Sequence, residues 1–308
     1  MVYNNNMDKD FPGFLEVLRK SIRDYQDNWR LFVKIVLRGF LYMFFALLVV
    51  GAPAFLMYFL IPGLSRMFLI GILVVIFLIG FNLIQLLMTL AIGVAAVDSS
   101  NREENSSASA FGKSWKLLGG YIAVFILQAV LTLSGYFALI IPGIIFNVWF
   151  SLAIFTYLVD GKKGIEALII SREYIRNYAR VVFFYFFGFG LIIAVLLNVV
   201  PSFIFEKLDL DFLSFFYSIF ITIVVAPVGL LFSYNIYKAL REIKGDLSGL
   251  EIAAQRKRKY FSVLLIPVVV IVVVVLLGLN AIRLFNNVWD DIDTHNEWVA
   301  PTALEMES

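Results

Sequence analysis

The sequence predicts an all-α polytopic membrane protein, a transmembrane helical bundle of about seven spans with cytoplasmic amphipathic helices and an internal repeat. Three observations predict it. Of 308 residues, 61% are hydrophobic and only 16% charged, against roughly 25% charged in soluble domains; a soluble globule of this size could not cover its surface. The polar residues fall in clusters separated by uninterrupted apolar runs such as 67–97 and 121–141, each at or above the roughly 20 residues that cross a hydrocarbon core. The basic residues segregate to alternate connections along the chain, as they do in proteins that thread a membrane repeatedly.

The spans read as 35–60, 67–97, 119–140, 143–160, 179–205, 212–242 and 260–283. The second and sixth exceed what a bilayer needs, so they tilt, bend or run on into the cytoplasm. Pro227, followed by Gly229, is the expected bend in the sixth, because proline removes a helical hydrogen bond and crowds the preceding turn. Of the 25 Lys and Arg residues, all but Arg66, Lys207 and Arg283 fall on the side of the N-terminus. Basic residues are retained in the cytoplasm, so the N-terminus is inside and the acidic tail from Asp290 outside. The chain then divides into a cytoplasmic N-terminal segment (1–30), a six-span core (31–243), a basic linker (244–259), a seventh span (260–283) and an extracytoplasmic tail (284–308). No short apolar stretch near the start ends in a small-residue cleavage site, so no cleaved signal is expected.

Pro62-Gly63 and Pro142-Gly143 lie between spans 1 and 2 and spans 3 and 4. Such pairs end helices and permit tight turns, which makes these spans antiparallel hairpins. The inward connections are longer and read as helices. Two of them match: Ala110-Phe111, Ser114, Leu117-Leu118 and Tyr121 against Ala167-Leu168, Ser171, Tyr174-Ile175 and Tyr178. Each follows a span that exits through Val-Asp, Val97-Asp98 and Val159-Asp160. A weaker copy, Val17-Leu18 and Ser21, precedes span 1. We read a cytoplasmic helix plus membrane hairpin used three times.

In the first of these helices Phe11, Phe14, Leu15, Leu18, Ile22, Tyr25 and Trp29 fall within an arc of roughly 100°. Asp10 is the expected cap and Pro12 sits in the first turn. Aromatics on one face and basic residues on the other describe an interfacial helix; packing of that face on the cytoplasmic end of the bundle is the other placement, and both stay open.

The ordered set Ile141-Pro142-Gly143-Ile144-Ile145, Asp160-Gly161, Gly164-Ile165-Glu166-Ala167-Leu168 and Ser171 resembles the membrane domain found beside glycerophosphodiester phosphodiesterases and in related stand-alone multipass proteins. The resemblance covers roughly 30–243 and is firmest over 138–190. It implies about six core spans with amphipathic linkers, and a bacterial or archaeal cell membrane. It does not bring the phosphodiesterase activity, which belongs to a separate soluble barrel for which this chain has no room.

Candidate chemistry is sparse. There is no Cys, which removes disulfides, thiolate nucleophiles and Cys-ligated metals. The only histidine, His295, stands among Asp290, Asp291, Asp293 and Glu297 in a pattern that matches no calcium loop, and reads as a solvated acidic tail. No metal or cofactor is expected. A net charge of +2 gives no reason to expect nucleic acid. No acidic residue sits mid-span, against an ion-coupled transporter or pump. Asn82, Gln85, Gln128, Asn147 and Asn198 do lie at depth. Interhelical hydrogen bonding is their ordinary role, and a polar cavity for a headgroup or small solute is the functional one. Arg256-Lys257-Arg258-Lys259 reads first as a topology signal and secondly as an anionic-lipid contact.

The sequence therefore favours a non-enzymatic multipass protein, a scaffold, assembly factor or regulator. Its expected partners are membrane lipids and either another membrane protein or a second copy of itself. The alternative is a transporter or translocator of a lipid or small uncharged solute. An enzyme lacks the usual nucleophile and acid–base sets here.

Overall fold

The computed structural model describes residues 11–60, 64–100, 106–205 and 211–250, with helical positions 276, 278, 280, 281 and 283. The remainder of the seventh span, the basic cluster Arg256–Lys259, Pro62-Gly63, Asp10 and the acidic tail lie outside the described residues.

The helices are α1 (Phe14–Asp27), α2 (Trp29–Leu60), α3 (Leu64–Ser100), α4 (Ser107–Ala138), α5 (Ile140–Phe150), α6 (Ala153–Leu158), α7 (Ile165–Ile175), α8 (Ala179–Ala194), α9 (Val200–Ile204) and α10 (Asp211–Lys244). No strand occurs among the described residues. Six helical stretches are long and apolar enough to cross a membrane: Trp29–Leu56, Met67–Ser100, Ser107–Phe137, Ile140–Leu158, Ala179–Val199 and Phe212–Lys244. The fold is thus the all-α transmembrane bundle that composition predicts.

Burial is uneven along these helices. Phe32, Ile35 and Val36 of α2, Leu90, Ala91 and Ile92 of α3, and Phe232, Ile236 and Tyr237 of α10 are almost wholly buried, together with much of α6 and α7. At the opposite ends Leu60, Phe68 and Phe212 are 70–75% exposed. Exposed apolar side chains in such number suit a hydrocarbon solvent. The core therefore sits at one end of the bundle, the end that also holds α1, and we call this the polar end. α3 is 37 residues long, about 55 Å at the helical rise, and its second half carries the surplus length into that core.

Several local expectations are corrected. The connection between α4 and α5 is Leu139 alone, extended at φ −172° and ψ 158°. Pro142-Gly143 lies just inside α5, where a missing backbone donor costs nothing. The glycine serves the hairpin differently. A β-carbon on Gly135 would lie 2.8 Å from the Gly143 Cα, and one on Gly143 would meet the Tyr136 ring, so the two helices cross at bare backbone. The segment before span 3 is no separate helix, since α4 runs unbroken from Ser107. Span 4 breaks between α5 and α6, where the Ser151 hydroxyl bonds the Val148 carbonyl at 2.8 Å. Span 5 contains a π-helical turn, Val195–Val199, immediately before Pro201; the proline cannot donate to the preceding turn and the wider turn absorbs the mismatch. α10 runs as one helix through Pro227, which is compatible with the bend expected there. α1 starts at Phe14 with Gly13 as its N-cap, leaving Pro12 ahead of the helix.

Candidate functional site

The five amides expected to line a cavity are spread over α3, α4, α5 and the turn after α8. Asn82, Gln85, Asn147 and Asn198 are exposed and Gln128 is half-buried. Asn82 donates to the Leu78 carbonyl at 2.7 Å and Asn198 to the Ala194 carbonyl at 3.0 Å. An amide bonded to the carbonyl four residues back satisfies a donor within its own helix, so for these two that donor needs no interhelical partner.

The arc on α1 is also redistributed. Phe11, Phe14, Leu18 and Tyr25 pack against the core. Phe11 lies on Tyr178 and Tyr185 with ring centroids 5.5 and 5.6 Å away, and Phe14 meets Phe232 edge-on at 5.8 Å. Val17 and Ser21, at the margin of the arc, are the most buried residues of the helix, whereas Ile22 and Trp29 are exposed. The buried face is turned away from the sequence arc because Ser21 and Asp24 have polar partners on α10.

Those partners belong to a polar network that sequence reasoning missed. The Asn235 amide, 4% exposed, donates to Ser21 Oγ at 3.1 Å and to Asp24 Oδ2 at 2.9 Å. Ser21 in turn donates to the Val17 carbonyl at 2.7 Å. One buried amide thus ties α1 to α10, and Tyr185 adds a 2.7 Å bond to the Pro12 carbonyl. Lys238 reaches Ser100 at the end of α3, at 2.8 Å.

A second knot surrounds Asp160, whose side chain is wholly buried beyond α6. Its Oδ1 accepts from the Tyr237 hydroxyl at 2.8 Å and lies 3.6 Å from Arg241 Nη2, while Oδ2 has no hydrogen-bond partner. Burial pushes the Asp160 carboxyl above the ordinary carboxylate range; the Tyr237 bond and the Arg241 charge offset part of this. Arg241 also binds Asp246 at 2.7 Å. The chain reverses after α10 at Gly245, whose φ of +78° suits a residue without a β-carbon. The reversal lets Asp246 accept from the Ser248 amide at 2.7 Å and the Leu247 amide donate to Tyr174 Oη at 3.1 Å. The Ser248 and Arg241 bonds hold the Asp246 carboxyl below its ordinary range, and burial raises the Tyr174 phenol to about 12. Lys244 donates to the carbonyls of Glu173 and Arg176, satisfying acceptors that the end of α7 leaves open.

The two Val-Asp exits are used differently. Asp98 pairs with Lys113 at 2.8 Å, joining consecutive helices, whereas Asp160 reaches α10. The matched serines Ser21, Ser114 and Ser171 are all fully buried. Ser114 bonds its own helix at Ala110, and Ser171 reaches the Trp149 carbonyl.

Shallow clefts open on this end. One of about 240 Å³ lies between α1 and α10, lined by Glu16, Lys20, Asn235 and Glu242. Another of about 570 Å³ lies at the α1–α2 corner by Trp29, Arg30, Lys34 and Ser106. Among the described residues no three His, Cys, Asp or Glu side chains are grouped to hold a metal. The arrangement can hold a shaped, charged surface in place. Comparison with protein-family models, curated proteins and solved structures returns no match.

Proposed function

We propose that this chain is a non-enzymatic multipass membrane protein, a scaffold, assembly factor or regulator, whose working surface is the polar end and whose polar end faces the cytoplasm. One observation carries the reading. Side-chain bonds spanning 68 to 214 residues of chain, from Asn235–Ser21 to Lys244–Arg176, converge on that end. They hold α1, α3, α7 and α10 as one preorganised face, and preorganisation lowers the cost of binding a partner. The asymmetry of Lys and Arg supports the cytoplasmic placement. The resemblance to the membrane domain beside glycerophosphodiester phosphodiesterases supports a bacterial or archaeal membrane without that family's catalytic barrel. Buried Ser21, Ser114 and Ser171 support the threefold repeat, while the unequal partners of Asp98 and Asp160 give the copies separate roles.

The translocator reading would need Gln85, Gln128 and Asn147 to line a path, and among the described residues no hydrogen bond joins these three to mark one. The test is gentle purification of the full chain from its own membranes, with mass spectrometry of what accompanies it. A stoichiometric protein partner lost on Asn235→Leu, with the bundle still folded, supports the scaffold reading. Bare protein, or a bound solute lost when Gln85, Gln128 and Asn147 become leucine, overturns it.

A further inference from the structure

Helix α1 has a side that the core does not use. Its bundle face carries Phe14, Val17, Leu18, Ser21 and Tyr25. Next around the helix, at about 100° per residue, come Leu15 and Ile22, seven positions apart and 68% and 41% exposed. Trp29, which opens α2, is 50% exposed. Arg19, Arg23 and Arg30 border them and are exposed, with the Arg30 guanidinium 5.6 Å from the Trp29 ring centre.

The neighbours of α1 say what meets this strip. A β-carbon on Gly188 would lie 3.4 Å from the Phe14 ring, and Tyr185 donates to the Pro12 carbonyl. Both residues lie within Ala179–Val199, a stretch long and apolar enough to cross a membrane. The start of α1 is therefore held against a helix long and apolar enough to span a membrane. A large apolar strip edged by arginines fits the boundary between hydrocarbon and headgroups, and the charge complements anionic lipid.

We propose that this strip is an anionic-phospholipid surface, with Leu15, Ile22 and Trp29 entering the acyl boundary and Arg19, Arg23 and Arg30 meeting the phosphates. Because Asn235 bonds Asp24 on the same helix, lipid held on the outer side of α1 steadies the polar network on its inner side. The proposal rests on α8 spanning the membrane and is independent of the scaffold reading.

The natural chain has no cysteine, so single spin labels test the surface directly in the full-length protein. Leu15→Cys, Ile22→Cys and a control, Asp27→Cys, are labelled and placed in nanodiscs of phosphatidylcholine alone or with phosphatidylglycerol. The labels at 15 and 22 should be more accessible to oxygen than to a water-soluble nickel chelate, with the label at 27 showing the reverse. Retention of phosphatidylglycerol by the wild-type chain, read by native mass spectrometry, should fall about fivefold for each of Arg19→Gln, Arg23→Gln and Arg30→Gln. Water-like labels at 15 and 22 overturn the proposal. So does shielding from both probes, which would mean a second copy or a protein covers the strip. Unchanged phosphatidylglycerol retention in the arginine variants overturns it as well.

Discussion

The hydroxyl of Tyr237 donates to Asp160 across 77 residues of chain, at 2.8 Å, and supplies a hydrogen bond to a carboxylate whose other oxygen has none. Removing that donor leaves a buried acceptor short of partners, at a cost of about 1–3 kcal/mol. Tyr237→Phe should therefore lower the thermal midpoint of the purified full chain. Asp160→Asn in the Phe background should recover part of the loss, because it removes the buried charge. Equal, additive losses in the double variant would deny the coupling.

The same carboxyl fixes a pH dependence. Burial raises its pKa in the folded chain, so the folded state binds this proton more tightly than the unfolded one. The contribution to stability is then complete below the unfolded value and falls as pH rises through the raised folded value. Asp160→Asn should flatten the decline between mildly acidic and neutral pH. An unchanged slope in thermal melts across that window would contradict the assignment.

The all-α membrane architecture was legible in the sequence, because long apolar runs report the solvent around a helix. The site was not. Asn235 and Tyr237 read as ordinary members of a long span, since nothing local distinguishes an amide facing Asp24 from one facing its own backbone. The two Val-Asp exits were visible as a repeated pair, and their acidic ends were the signal that could have led to Lys113 and Arg241. Depth in a span is what marks Asn82 and Asn198 in the sequence, and depth does not reveal a helix's own carbonyl as a partner. The α1 arc is divided, with Phe11, Phe14, Leu18 and Tyr25 against the core and Ile22 and Trp29 exposed, because Ser21 and Asp24 bond Asn235.

Asn235 supplies the next expectation. Asn235→Leu removes donors from Ser21 and Asp24 and should loosen α1, raising hydrogen exchange over 14–27 while the rest of the bundle keeps its protection. Asn235→Asp sets a second carboxylate beside Asp24 and should loosen it further. Protection of α1 equal to wild type in both variants would show that apolar packing alone holds the helix.

The crossing of α4 and α5 distinguishes backbone from side-chain crowding. At Gly135 an added methyl meets the Gly143 backbone, whereas at Gly143 it meets the Tyr136 ring. Gly135→Ala should cost about 1–3 kcal/mol and Tyr136→Ala should not relieve it. Gly143→Ala should be relieved by Tyr136→Ala. Thermal melts of the three single and two double variants separate these outcomes.

Asn82→Leu and Asn198→Leu should each change stability by no more than about 0.5 kcal/mol, since each amide bonds only its own helix among the contacts seen. A loss several times larger in thermal melts would place an interhelical or intersubunit partner at that position.

In the proposed arrangement the polar end is a cytoplasmic cap at one side of a threaded bundle. Single cysteines at Asp27 and Lys163, on the polar end, and at Leu139, in the opposite connection, can be probed in intact cells with a membrane-impermeant maleimide. Leu139→Cys should be labelled in intact cells, and Asp27→Cys and Lys163→Cys only after permeabilisation. Labelling of Asp27→Cys and Lys163→Cys in intact cells, or of all three positions from one side, would contradict it.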